Sequence, residues 1–146
     1  MKVGDGKPFV AIIVGKVPLK DVDENIVNPY VLSDGEIRKL PFRVRELGFN
    51  VMFQDRSGMI IEAPYHLVSV CSKMFINISF CGGVIVTILD LGYISRHEFH
   101  LRDTLELIEK CKNIIEKLLP ERRFEVFDVQ ILNYPLRASE IATVEF

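Results

Sequence analysis

The chain has 146 residues, with 18 Lys and Arg against 20 Asp and Glu, a formal net charge of -2 and 49% hydrophobic residues. That balance excludes a disordered chain, which needs low hydrophobicity and high net charge. It also excludes a basic nucleic-acid binder, because no excess of cations is left for phosphate contacts. The length fits one domain over residues 1–146.

No apolar run reaches the roughly 20 residues of a membrane span, and Met1 to Lys7 opens no signal-peptide apolar segment. The expected setting is the cytoplasm, with no membrane partner. Cys71, Cys81 and Cys111 are widely spaced and form no CxxC pair. They read as free thiols packed like small apolar groups, not as a disulfide framework or a zinc site.

Pro8 to Val14 is a continuous apolar run rich in β-branched residues and predicts a buried strand. Gly15 to Pro29 is polar, with Pro18, Asp21, Asn25 and Asn28, and predicts a long loop, a kind that is usually functional or mobile. Ser33-Asp34-Gly35-Glu36 has the capping-box pattern of a helix start. Ile37, Leu40, Val44 and Leu47 follow at helical spacing, and Gly48 suits the end. Pro41 falls inside this run and predicts a kink or a late start.

Phe49 to Gln54 reads as a strand with Phe49, Val51 and Phe53 on one face. Asp55 to Gly58 reads as a turn, and Met59 to Ala63 as the strand that closes the hairpin. His66 to Cys71 extends or follows it. Phe75 to Cys81 alternates, with Ile76, Ile78 and Phe80 on one face, and Gly82-Gly83 is a hairpin turn. Val84 to Leu91 is the most apolar strand. Asp103-Thr104-Leu105-Glu106 opens a second helix, whose apolar stripe runs from Leu107 through Cys111 and Ile115 to Leu119 before Pro120 ends it. Arg123 to Leu132 is the last strand.

The order is strand, long loop, helix, four strands, helix, strand. This is an α+β layout, a single mixed or antiparallel sheet of about five or six strands with two helices on one face. Val84, Val86 and Ile88 form one side of the most apolar strand, and Ile85, Leu89 and Leu91 the other. A solvated face normally reads polar, so the second face is expected to be covered. The reading favours a homodimer with sheets packed face to face. Cover by the long loop and the C-terminal tail is the alternative.

Few residues stand out for chemistry. Arg96-His97-Glu98-Phe99-His100 carries two histidines three apart, not the i, i+4 pair of HExxH, and no third ligand is near in sequence, so no metal is expected. Asp90 interrupts an apolar strand near its end, where ligands are often held, with Tyr93 and Arg96 just beyond. Asp21 to Glu24 is acidic and reads as a solvated loop, and Arg38, Lys39, Arg43 and Arg45 read as a solvated helix face. A ligand site would draw on Glu62, His66, Asp90, Tyr93, Arg96, His97 and His100.

The stretch Ser57-Gly58-Met59-Ile60-Ile61-Glu62-Ala63-Pro64-Tyr65-His66-Leu67 resembles the prokaryotic, pyruvoyl-dependent S-adenosylmethionine decarboxylases, in which an apolar strand leads to a self-cleaving Glu-Ser bond followed by His-Leu. Arg45 to Val51 looks like the family's helix end and following strand, and Gly82-Gly83-Val84-Ile85-Val86 with Gly92 like its central strand. The resemblance implies the fold and the sheet-to-sheet dimer.

It does not carry the activity across. With His-Leu placed on His66-Leu67, the self-cleaving serine falls on Tyr65, the processing histidine on Val70 and the catalytic cysteine near Leu91. A phenol cannot become a pyruvoyl group, so no cofactor is expected. The resemblance implies a non-catalytic or repurposed archaeal-type or bacterial relative. It would bind a small molecule, with nucleosides or amines as the family's ligand classes, or a protein partner, an active paralogue in a mixed dimer being one such partner. An enzyme of another class built around Asp90, Tyr93, Arg96, His97 and His100 is the second reading, and a plain interaction module the third.

Overall fold

The computed structural model describes residues 9–22, 25, 28–67, 70–90 and 101–133. Among them the chain runs β1 (Phe9–Lys16), α1 (Asp34–Glu46), β2 (Asn50–Gln54), β3 (Gly58–Leu67), β4 (Val70–Ser79), β5 (Gly83–Asp90), α2 (Leu101–Leu118) and β6 (Glu125–Asn133). The six strands form one sheet in the order β2-β3-β4-β5-β1-β6. Every pairing is antiparallel, which settles the mixed-or-antiparallel alternative. β2 to β5 form a meander, and β1 lies between β5 and β6, with a helix in each of the β1–β2 and β5–β6 connections.

Both helices bury their stripes against one face of the sheet. Leu40 and Val44 of α1 and Leu107, Cys111, Ile115 and Leu118 of α2 pack in one cluster. Ala11, Ile13, Ile61, Ile76, Ile78, Val86 and Ile88 of the strands join it. Alternation along each strand fixes this face, since successive side chains point to opposite sides.

The other face carries Val10, Ile12 and Ile85 at its centre, 0%, 1% and 5% exposed. That part is already buried within one protomer. Toward β3 and β4 the same face holds half-buried Ile60, Phe75 and Asn77.

Local chemistry accounts for the element ends. Ser33 caps α1, and its hydroxyl accepts from the Glu36 N–H at 3.2 Å while the Glu36 carboxylate accepts from the Ser33 N–H at 3.1 Å. α1 starts at Asp34 and runs through Pro41, so the proline does not delay the start. The lost hydrogen bond is offset by burial of Leu40 and Val44 on either side. α2 begins at Leu101, two residues ahead of the Asp103 start that the sequence suggests.

Gly82 turns β4 into β5 at φ +102, and a Cβ there would lie 2.4 Å from the Tyr30 carbonyl oxygen. The long loop crosses this turn closely. Val17 N–H donates to the Gly82 carbonyl at 2.9 Å and Leu32 N–H to the Phe80 carbonyl at 2.9 Å.

One strand prediction is corrected. The pairing of β2 with β3 shifts between Val51 and Phe53, so Val51 faces Ile61 and Phe53 faces Ile60. Met52 is the extra residue of a bulge, and a bulge flips the alternation that follows it. Phe53 therefore leaves the face of Val51 and is 55% exposed.

Candidate functional site

Among the described residues the most tightly held polar group is Arg122, 1% exposed. It follows the Pro120 break after α2, and Leu19 pairs with it in an isolated bridge. Its Nε donates to Glu36 Oε2 at 2.7 Å and its Nη2 to Glu36 Oε1 at 2.9 Å. Nη2 also donates to the Val31 carbonyl at 2.8 Å, and Nη1 to those of Val17 at 2.8 Å and of Pro29 and Tyr30 at 3.0 Å each. A guanidinium has five N–H donors in a fixed fork, and here all are committed.

The result is a clamp that ties both described ends of the long loop to the start of α1. Burial raises the Glu36 pKa, but the hydrogen bonds from Arg122 and Ser33 and the Arg122 charge outweigh it, and the carboxyl is held below its ordinary value. A pocket of about 330 Å³ lies beside the clamp, lined by Leu19, Val31, Ser33 and Lys39 among others. Its two buried charges are spent on each other, so this is an architectural centre. Sequence reading missed it because Arg122 sits in a charged run, Glu121-Arg122-Arg123, which is indistinguishable locally from a solvated surface.

The sequence-predicted residues do not gather in one described site. Glu62 lies on β3 across from Phe75 and pairs with Lys73 at 3.4 Å, the two side chains 22% and 54% exposed. His66 is four residues further along β3, roughly 13 Å away at strand rise, in register with Cys71. Asp90 ends β5 in register with Ser72, which on its other side pairs with Tyr65. The backbone thus brings Tyr65, Ser72 and Asp90 into one row and leaves Glu62 apart from it. Tyr93, Arg96, His97 and His100 lie outside the described residues, as do Asp23, Glu24 and Leu91. Among the described residues no group of three or more His, Cys, Asp or Glu is placed to hold a metal ion.

A second pocket opens at the other end of β3, on the sheet face away from the helices. It measures about 430 Å³ and is lined by Phe53, Asp55, Ser57, Gly58, Met59, Ile60, Asn77 and Ser79, inside the range of roughly 300–1,000 Å³ typical of ligand pockets. Phe53, Ile60 and Asn77 are register partners across β2, β3 and β4. They make a row with Ile60 as floor and Phe53 and Asn77 as walls.

Gly58 extends that floor. It has no room for a side chain, since a Cβ would lie 2.4 Å from the Ile78 carbonyl oxygen. Asp55 Oδ1 accepts from the Ser57 hydroxyl at 2.7 Å and from the N–H groups of Ser57 at 2.8 Å and Gly58 at 3.1 Å. These bonds, that of the Ser57 hydroxyl first, hold its carboxyl below the ordinary value. Sequence reading placed Asp55 to Gly58 in a turn but put Phe53 on the wrong face, so the pocket was invisible to it.

No protein-family model matches this chain, nor does any curated protein or any solved structure.

Proposed function

We propose that this chain works by binding and not by pyruvoyl chemistry, as a diverged relative of the prokaryotic S-adenosylmethionine decarboxylases that pairs with a second copy and takes a small ligand on the sheet face away from the helices. The observation that carries this reading is the character of that face over β3 to β5. Ile60, Phe75, Asn77, Thr87 and Leu89 are half-buried there, and the charged pair, Glu62 with Lys73, is neutralised within the protomer. A surface of this kind can oppose its own copy without setting like charges together.

The α+β layout with both helices on one side supports the family reading. Tyr65 supports the loss of the decarboxylase chemistry, because Pro64 and Tyr65 run in regular strand pairing with Lys73 and Ser72. Pro64 is tolerated because β2 reaches only Glu62 and, among the described residues, β3 has no pairing partner on that side beyond it.

The test is the denatured intact mass of fresh protein together with its sedimentation. One species near 16.7 kDa that sediments as a dimer is expected. Two fragments summing to the chain, the second with a blocked N-terminus, would restore the decarboxylase, and a monomer at all concentrations would remove the pairing.

The row Tyr65–Ser72–Asp90 favours a second reading, an enzyme of another class at that end of the sheet, and Asp90→Asn with a metabolite screen tests it.

A further inference from the structure

The sheet face away from the helices holds three residues whose burial its own strands do not explain. Val10, Ile12 and Ile85 are 0%, 1% and 5% exposed there. The described residues packed against them on that face are strand neighbours, Val14, Leu89 and Leu132. Neighbours in a sheet flank a side chain and leave its tip open, because side chains stand out from the pleat. Both helices bury their stripes on the opposite face. Burial to the tip needs a cover from above, and within one protomer that cover comes from outside the described residues.

The three residues mark its path. β6 ends at Asn133, in register with Phe9, and Leu132 stands beside Val10. Ile12 is two residues further along β1, and Ile85 lies one strand over, opposite Val14. They form a diagonal that starts at the end of β6 and climbs to β5, roughly 17 Å in all at the usual strand rise and spacing. Leu89, Thr87 and Val14, which lie off that line, are only half-buried.

Residues 134–146 follow β6 at that corner and, extended, reach roughly 40 Å. They carry Tyr134, Leu136, Ile141, Val144 and Phe146. Residues 91–100 are committed to joining β5 to α2 on the helix face. Residues 1–8 offer only Met1 and Val3 as large apolar groups besides Pro8. The long loop is bonded to the opposite end of the sheet, at Gly82.

We infer that residues 134–146 turn back from the end of β6 and strap the outer sheet face along Val10, Ile12 and Ile85, seating their apolar side chains on that diagonal. The strap closes the most apolar part of the face to other chains and leaves Ile60 and Phe75, on β3 and β4, to meet one. The inference stands apart from the family and from the ligand of the binding reading.

Nuclear Overhauser contacts test it in the unmodified full chain. The methyl groups of Val10, Ile12 and Ile85 are expected to contact residues 134–146 of the same molecule. Absence of such contacts, or contacts found only between differently labelled copies, would overturn the inference.

A thiol at the covered position gives a second measurement. In a Cys71→Ser, Cys81→Ser chain, Val10→Cys should react slowly at every protein concentration. Adding Ile141→Ser, Val144→Ser and Phe146→Ser should speed its labelling by about a hundredfold. Buried Cys111 should stay unlabelled throughout, which shows that the variant is still folded. An unchanged labelling rate, or protection that disappears on dilution, would refute the strap.

Discussion

Replacing Glu36 with Gln tests the clamp at its centre. The change keeps the shape and the helix start, since Gln serves in a capping box as Glu does. It removes the charge that faces Arg122 at 2.7 Å and 2.9 Å and turns an amide donor toward guanidinium donors. Breaking one partner of a buried ion pair costs about 3–5 kcal/mol. The carbonyls of Val17, Pro29, Tyr30 and Val31 still hold the guanidinium, so the lower end applies, about 3 kcal/mol.

Arg122→Met should cost more, about 4–5 kcal/mol, because those carbonyls also lose their donors. Urea unfolding of both single variants and the double measures the coupling, expected near 2 kcal/mol. Against a typical total of about 5–15 kcal/mol these are large losses. A Glu36→Gln cost below about 1 kcal/mol, or single changes that add within about 0.5 kcal/mol, would refute the clamp as a coupled unit.

The same pair sets a pH dependence. The folded Glu36 carboxyl lies below its ordinary value of 4.5, so its contribution is complete above that value. It is lost as the pH falls through the lower folded value, where the folded state must take up a proton that the unfolded chain already holds. Wild type minus Glu36→Gln stability should therefore shrink on acidification, read from urea midpoints between about pH 3 and 7. Gly82→Ala should cost about 2–3 kcal/mol, because φ is +102 and the new Cβ meets the Tyr30 carbonyl oxygen at 2.4 Å. Gly48→Ala, at φ +78 with open space around it, should cost only about 1 kcal/mol, and paired thermal melts separate backbone strain from the clash. In a Cys71→Ser background a thiol reagent at mildly alkaline pH should label exposed Cys81 at once. Cys111, whose thiol burial pushes up to about 12, should stay unlabelled until the protein unfolds.

Much of the architecture is legible in the sequence because it is written in local patterns. The stripe from Leu107 to Leu119, the Ser33–Glu36 box and the Gly82 turn each need only a few neighbouring residues to be recognised, and each is where the pattern places it. The two-faced character of β5 is legible for the same reason, since alternation is a property of the strand alone. No such local rule reaches a bulge, and Met52 reverses the face of Phe53 without changing any pattern that comes before it.

The two sites belong to the tertiary structure. Arg122 finds Glu36 across 86 positions and four loop carbonyls across 91 to 105, and nothing near Arg122 in sequence marks it as buried. Phe53, Ile60 and Asn77 become one row through the register of three strands, which hairpin lengths and the bulge set together. The sequence determined which segments are helix and strand and which faces are apolar, because backbone propensity and side-chain period are local. Only the packed sheet decided which polar groups meet, because a hydrogen bond or a pocket is made by residues that the chain separates and the register brings side by side.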